Sequence, residues 1–416
     1  MDRLELLAPA GDLEKLKAAV DFGADAVYFG GRAFSLRSGA GGLGGNDLKQ
    51  GLDYAHERGR RCYMTLNIYA HEYDLKGLRE YLTEIRKYPV DAFLVSDPGV
   101  LCLLKEEIPD AEIHLSTQAN ATNSLAANFW VRQGVKRIVL AREVSLAEIK
   151  EIRSALPPET ELEAFCHGAM CIAYSGRCLL SSFMTGRYSN KGECAQPCRW
   201  NYSLQEEQRP GEFYPVEEDG RGTYIMNSRD LCMIDHIKDL AECGVTSFKI
   251  EGRMKTVFYV ATVIRAYRAA LDAYIADPAN WSPRGEWMEE LCKASHREFT
   301  TGFFFGNPGA DGQKLDSSGY VRDYMFTGLV RSYDPASGLA LVEQRNKMNV
   351  GETIELFGAR TGDMRFVLDD MKDAETGENI DSCPHPQQMI LIKTPGPVEA
   401  GDMMRKRTAK GEENAI

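Results

Sequence analysis

The chain has 416 residues, of which 44% are hydrophobic and 26% charged, values typical of a folded globular protein and not of a disordered one. Its 49 basic and 61 acidic residues give a net charge of −12, which excludes a uniformly basic nucleic-acid-binding surface but allows a local basic patch. The sequence has no apolar run of membrane-spanning length, and its first ten residues do not resemble a signal peptide. We therefore expect a cytoplasmic protein without a membrane partner.

Short apolar segments recur along the first 251 residues, and most of them alternate with amphipathic helical stretches. The eight candidate strands are 4–8, 26–30, 62–68, 92–96, 113–117, 137–141, 162–165 and 247–251. Repeated strand–helix units imply parallel strands joined by right-handed crossovers. Eight such units predict an α/β fold of the (β/α)8 TIM-like barrel type, with a doubly wound open sheet as the alternative.

The spacing of these segments divides the chain into domains. Strands seven and eight are separated by the segment 167–245, which we assign as an insertion within a barrel domain of residues 1–285. Residues 286–318 are expected to form a connection. In residues 319–404, short alternating runs broken by glycine and polar turns predict a small all-β, barrel-like domain, followed by a disordered tail of residues 405–416.

The insertion carries a cluster of cysteines. An odd total of eleven and a reducing compartment argue against a set of disulfides. Four cysteines have the spacing Cys-x6-Cys-x15-Cys-x3-Cys, namely Cys171, Cys178, Cys194 and Cys198. The first gap is longer than the knuckles of structural zinc sites, so the pattern favours an iron–sulfur cluster. Cys232 is the alternative to Cys198 as fourth ligand, whereas Cys166 continues strand seven and is expected in the core or a pocket.

Charged residues at the end of strand eight are the first candidates for catalysis. Lys249, Glu251 and Arg253 alternate and therefore share one face of an extended strand. Charged groups are costly to bury there unless they are paired or functional, and Arg253 is the strongest candidate for binding a carboxylate or phosphate. The alternative is a structural ion pair between Glu251 and one of the two cations.

Other strand ends supply neutral or titratable groups. Asn67 follows strand three, and Gln118 and Asn120 follow strand five, where amides suit recognition of a base or hydroxyl or else cap a helix. His167 follows strand seven directly and is a candidate proton donor or acceptor, although a lone histidine in a loop is often structural.

The insertion also combines basic and aromatic residues. The candidates for RNA binding are Arg177, Arg187, Lys191, Arg199 and Trp200. Basic groups beside stacking aromatics suit a single-stranded anticodon loop. Equally, the arginines could offset thiolate charge while the aromatics shield a cluster.

These residues resemble a known family. The run from Glu163 to Ser181 fits the signature of the peptidase U32 family, the collagenase-like proteases. Further similarity lies in 6–11, 25–30, 116–123 and 249–253, so the resemblance covers essentially the whole chain. The segment Cys194-Ala-Gln-Pro-Cys-Arg-Trp200 is most similar to members that act in tRNA hydroxylation.

The resemblance implies prephenate-dependent formation of 5-hydroxyuridine at the wobble uridine of tRNA. It further implies a [4Fe–4S] cluster on Cys171, Cys178, Cys194 and Cys198, a small dicarboxylate (prephenate) as co-substrate, and the tRNA anticodon loop and a paralogous family member as partners. Alternatives are hydroxylation of ribosomal RNA or ubiquinone, a noncatalytic cluster-bearing assembly partner, or the peptidase of the family's name. Against a peptidase, the sequence contains neither an HExxH zinc motif nor a GxSxG nucleophile elbow.

Overall fold

In a computed structural model of the protein, eight parallel strands close into a barrel. The structure describes residues 4–35, 42–171, 174, 178–187, 189, 193–200, 203–205, 213–215, 227–308, 312–314 and 320–408. The strands are β1 (Glu5–Ala10), β2 (Ala26–Gly30), β3 (Arg61–Leu66), β4 (Ala92–Val95), β5 (Ile113–Leu115), β6 (Arg137–Val139), β7 (Glu161–Ala169) and β8 (Ser247–Ile250). Each pairs with the next, and β8 pairs with both β7 and β1. The closed ring confirms the predicted TIM-like barrel and excludes the open sheet.

Most of the helices connect the barrel strands, and one of them lies within the insertion. They are α1 (Leu13–Asp21), α2 (Asn46–His56), α3 (Glu72–Ile85), α4 (Pro98–Glu107), α5 (Ser124–Arg132), α6 (Leu146–Ser154), α7 (Leu180–Thr185), α8 (Ile237–Glu242), α9 (Val257–Ala276) and α10 (Gly285–Cys292). Several begin at a side-chain cap, as where Asp97 accepts a hydrogen bond from the Val100 amide at the start of α4. No helix in the described ranges is long and apolar enough to cross a membrane.

The sheet extends beyond the ring beside β7. A short strand, Asp230–Cys232, pairs antiparallel with the end of β7, and Phe299–Thr300 pairs with Asp230–Leu231. Both ends of the insertion are thereby fastened to the rim of the barrel. Residues 286–318, expected as a connection, contribute the rest of α10 and this strand, and Trp287 of α10 lies in the barrel core.

Within the insertion, the described residues form short elements. They include α7, a 3-10 turn at Pro197–Arg199, and the strand pairs Ser203–Gln205 with Phe213–Pro215 and Asn227–Ser228 with Gln313–Lys314. The 3-10 turn packs against α7.

The C-terminal domain is an antiparallel sheet of seven strands with its own core. In chain order they are β9 (Tyr324–Asp334), β10 (Leu339–Gln344), β11 (Thr353–Phe357), β12 (Met364–Val367), β13 (Lys372–Asp373), β14 (Met389–Lys393) and β15 (Met403–Arg407). Their spatial order is β12-β11-β15-β9-β10-β14-β13, and Met348–Asn349 pairs separately with Ser382–Cys383. The small all-β domain was predicted correctly in kind.

The start of the predicted disordered tail is wrong. Residue 405 lies inside β15, and its side chain is only 1% exposed. Arg405 donates to both carboxylate oxygens of Glu290 in α10 at 2.8 and 2.9 Å, and to Glu355 of β11 at 3.0 Å. These contacts across the domain boundary hold the strand in place. The charged residues of β15 had suggested an exposed segment, which is why the sequence did not predict its burial.

Candidate functional site

The barrel mouth, where the strands end, holds a buried pair of opposite charges. Arg142, three residues after β6, donates to a carboxylate oxygen of Glu251 at 3.1 Å. The guanidinium of Arg142 also lies 3.9 Å from the ring centre of Phe165. Both charged residues are less than a tenth exposed, so their field acts with little screening by water.

A second arginine at the mouth donates to two hydroxyl groups. Arg253 donates to the hydroxyls of Ser35 at 2.9 Å and Thr65 at 3.0 Å, and it lies 5.8 Å from the ring centre of Tyr28. Hydroxyl acceptors orient the guanidinium without cancelling its charge. Arg142 and Arg253 therefore give the mouth two oriented guanidinium groups, the geometry that suits binding of carboxylates.

Neutral amides line the β3 to β5 side of the mouth. Asn67 donates to the hydroxyl of Ser116 at 3.2 Å, and Asn120, in a left-handed conformation, donates to the backbone carbonyl of Gln118 at 3.1 Å. The side-chain oxygen of Gln118 is buried and accepts no hydrogen bond from the part of the chain that the structure describes. The predicted amides of Asn67, Gln118 and Asn120 thus lie on the same side of the mouth. The hydrogen bond of Asn120 to the backbone is a structural contact.

Lys249 does not lie at the mouth with its neighbours on β8. Its side chain points into the barrel, where Nζ donates to Glu163 at 2.6 Å and lies 4.3 Å from the ring centre of Tyr28. Burial lowers the pKa of Lys249 against the opposing attraction of Glu163. The strand ends at Ile250, before Glu251 and Arg253, and a catalytic contact for Lys249 does not fit its ion pair with Glu163. Glu251 forms an ion pair with Arg142, which is not on β8.

His167 faces the outer wall of the barrel. It is 2% exposed and packs among the rings of Tyr259, Tyr267 and Phe299. Burial, with smaller contributions from the charges of His296 and Lys255, lowers the pKa of His167 to about 3. A neutral ring in an aromatic cage fits a packing role and not the predicted proton transfer at the mouth. The sequence placed His167 beside strand seven, whereas the strand continues through it and turns the ring outward.

The four candidate cluster cysteines follow the end of β7 and surround α7. The Ala195 amide donates to the hydroxyl of Ser181 in α7 at 3.0 Å, which ties the segment containing Cys194 and Cys198 to the helix that follows Cys178. The Gln196 amide donates to Sγ of Cys194 at 3.4 Å, a contact that stabilises a thiolate. Cys171 lies two residues beyond β7.

The four sulfurs are not gathered at one point. Among the residues that the structure describes, no three of them lie within 4.8 Å of one another.

The rival cysteines are sealed inside the protein. Cys232 is 6% exposed and its Sγ lies 3.8 Å from the hydroxyl of Tyr267, while Cys166 is fully buried with its Sγ facing the backbone carbonyl of Lys249 at 3.5 Å. Burial raises the pKa of Cys232 to about 12. Both thiols therefore face groups in the protein interior.

The structure tests the predicted RNA-binding residues only in part. Arg187 is exposed, Trp200 is 47% exposed, and Phe183 of α7 is 88% exposed. Arg177, Lys191 and the side chain of Arg199 lie outside the described residues. An accessible aromatic surface therefore accompanies the cysteine segment.

Arg142 is the residue that the sequence analysis missed. It directly follows the predicted sixth strand, in the run Leu140-Ala-Arg-Glu143. The rule applied to strand eight, that a charge at a barrel strand end is paired or functional, would have selected it.

The chain is similar to known proteins over nearly its whole length. The family model of peptidase family U32 matches residues 11–314, and that of the peptidase family U32 C-terminal domain matches residues 322–405. The tRNA hydroxylation protein P1 of Bacillus subtilis (strain 168) is 41% identical over 97% of this chain and 94% of its own. The tRNA hydroxylation protein P of Escherichia coli (strain K12) is 36% identical over 99% and 98%. A protein of Porphyromonas gingivalis named collagenase is 30% identical over 90% and 93%.

Proposed function

This chain belongs to peptidase family U32, and from that premise we propose that it is an RNA-modifying enzyme that hydroxylates tRNA. The observation that carries the proposal is the near full-length similarity to two tRNA hydroxylation proteins, which extends through both domains. The finer proposal is prephenate-dependent conversion of the wobble uridine to 5-hydroxyuridine.

The barrel mouth is proposed to bind the small anionic co-substrate. Prephenate carries two carboxylates, and the mouth offers Arg142 and Arg253. Arg142 donates to Glu251, so a carboxylate that binds Arg142 would exchange with Glu251. The amide of Gln118, which follows β5, supplies a further hydrogen-bonding group.

The four cysteines of the insertion are proposed to hold a [4Fe–4S] cluster, which when bound supplies one-electron transfer. The ligands would be Cys171, Cys178, Cys194 and Cys198. Support comes from the spacing of the four cysteines in the sequence and from the amide contact to the sulfur of Cys194. The insertion starts at the C-terminal end of β7, so a cluster there would adjoin the barrel mouth.

The exposed surface of the insertion is proposed to receive the anticodon loop. Phe183 and Trp200 offer faces on which unpaired bases stack, and Arg187 offers a charge for the backbone. A paralogous family member is a further proposed partner.

Nucleoside mass spectrometry tests the proposal. In a strain lacking the gene and any paralogue of the same activity, we expect tRNA to lose 5-hydroxyuridine and its derivatives. The wild-type gene should restore them, and so should the matched control Arg132→Gln, a change of an exposed arginine at the end of α5. Arg253→Gln should not, because it removes the guanidinium from the mouth.

The same samples separate the alternatives. If a hydroxylated nucleoside is lost from ribosomal RNA while the hydroxylated nucleosides of tRNA are unchanged, the substrate is ribosomal RNA. The relative named collagenase makes a peptidase the second candidate. Degradation of collagen by the purified protein, with every hydroxylated nucleoside unchanged, would replace the proposal by that one.

A further inference from the structure

A second group of metal-ligating side chains lies at the end of the barrel opposite the mouth. His56 is the last residue of α2, Cys62 is the second residue of β3, and Asp91 immediately precedes β4. A ring nitrogen of His56, Sγ of Cys62 and a carboxylate oxygen of Asp91 all lie within 4.8 Å of one another. Three separate elements therefore bring three different donor types to one point.

The contacts around Asp91 orient this group. Cys62 donates its backbone N–H to Oδ2 of Asp91 at 2.7 Å, and Nε2 of His56 lies 2.8 Å from the same oxygen. The backbone bond fixes the carboxylate independently of the histidine, as the outer contacts of metal ligands commonly do.

Burial gives the group an inner and an outer side. Cys62 is fully buried, whereas the side chains of His56 and Asp91 are 32% and 28% exposed. An ion could approach from solvent between the histidine and the carboxylate and meet the sulfur behind them. Asp91 and His56 could cap the start of β3 by themselves. The sulfur of Cys62 beside them adds the third donor that a metal site requires.

We propose that His56, Cys62 and Asp91 form a Zn²⁺ site with three protein ligands, in which water on the solvent side completes the coordination. Imidazole nitrogen, thiolate and carboxylate are the donors that zinc takes in proteins. On binding, the His56–Asp91 hydrogen bond breaks, the imidazole proton resides on Nδ1, and the thiol proton of Cys62 leaves to solvent. One dication then faces one thiolate and one carboxylate, so the site is neutral.

The position assigns the ion a structural role. It would link the end of α2, the start of β3 and the residue before β4 on the N-terminal face, where barrels carry stability and not catalysis. Zinc bound to the folded state alone, at one hundred times its Kd, would raise the Tm of a chain of this length by about 3 °C.

Zinc binding and melting in metal-depleted protein test the site. To remove the other thiolates from the measurement, the full chain is used with serine at Cys171, Cys178, Cys194 and Cys198. We expect one Zn²⁺ per chain by equilibrium dialysis, a rise in Tm with zinc, and a thiolate-to-metal absorption band with Co²⁺ as probe. In this background His56→Gln should bind at least tenfold more weakly, although its amide can still donate to Asp91, and Cys62→Ser should lose the absorption band.

The matched control is Cys102→Ser, which changes an exposed cysteine of α4 and should leave zinc binding unchanged. If Cys62→Ser fails to fold, His56→Gln alone decides. If His56→Gln and the control had the same zinc affinity and the same rise in Tm, the proposed site would be wrong. It would also be wrong if the protein bound no zinc once the insertion cysteines are replaced.

Discussion

At the scale of single residues, the two arginines of the mouth have different contacts among the described residues. Arg142 donates to a carboxylate, and Arg253 donates to two hydroxyls. Exchange of a substrate carboxylate for Glu251 would make Arg142 the contact that changes on binding. Arg253 would be oriented in advance.

We expect Arg142→Gln to lower kcat/KM for the anionic co-substrate about 10-fold to 100-fold, because one charge-assisted hydrogen bond contributes about 1.5–3 kcal/mol. Most of the change should appear in KM. Arg142→Lys should be intermediate, since it keeps the charge but not the planar fork. Steady-state kinetics check this, with Arg132→Gln as control, and an unchanged KM in Arg142→Gln would contradict it.

The environment of His167 predicts a dependence of stability on pH. Its pKa is about 3 in the folded protein, below the usual value of 6.5. As pH falls below about 6.5, His167 takes up a proton in the unfolded chain but not in the folded chain. The free energy of unfolding is therefore unaffected by His167 above that pH and decreases between about pH 6.5 and 3, by up to about 1.4 kcal/mol per pH unit.

Urea unfolding of wild type and His167→Gln between pH 5 and 8 measures this contribution. The difference in free energy of unfolding between the two proteins should be constant above about pH 7.5 and shrink below 6.5, because the variant lacks the titrating ring. A difference that stays constant down to pH 5 would contradict the placement.

At the scale of elements, α7 and the 3-10 turn that packs on it organise the cysteine segment. Cys198 belongs to that turn, whereas Cys232 lies in a strand against Tyr267. Cys198 therefore belongs to the insertion, whereas the sulfur of Cys232 belongs to the packed wall of the barrel.

Anaerobic purification with iron and sulfide analysis distinguishes the two cysteines. We expect Cys198→Ser to lose most of its iron and visible absorbance, and Cys232→Ser, the matched control, to retain both. The reverse result would make Cys232 the fourth ligand. A colourless wild-type protein with stoichiometric zinc would remove the cluster from the proposed function.

The barrel strands were predictable because their cues are local. Each is a short apolar run bounded by turn residues, and β2 has the predicted bounds. The strand Asp230–Cys232 was missed because three residues carry no periodicity, and they form a strand through pairing with the distant segments 167–169 and 299–300. Glu163 as the partner of Lys249 was equally hidden, since the two are 86 residues apart in sequence.

At the scale of the whole molecule, the two domains are joined by a buried ion cluster. Arg405 of β15 bonds Glu290 and Glu355, and Lys293 lies 3.2 and 3.4 Å from the same carboxylates. Phe258 of α9 also stacks on Phe326 of β9 at 5.3 Å. Charge and apolar packing thus hold the C-terminal domain against α9 and α10.

We expect Arg405→Met to destabilise the protein by about 3 kcal/mol, because it leaves buried carboxylates short of a partner while Lys293 compensates in part. Calorimetry should show a lower Tm or a separate transition for the C-terminal domain. Arg407→Met is the control, since Arg407 lies in the same strand but is exposed. Equal melting of the two variants would contradict the role of the cluster.

The position of β15 in its sheet affects how the protein is made. It is the last of the strands that the structure describes, yet it lies between β9 and β11 in the interior of the sheet. Until residues 403–407 have been synthesised and can fold, this sheet has a gap at its centre, and the barrel surface that meets Met403 stays uncovered. The barrel can therefore form during translation before the sheet of the C-terminal domain closes. A chain truncated before Met403 would expose two unfinished apolar faces to chaperones and proteases.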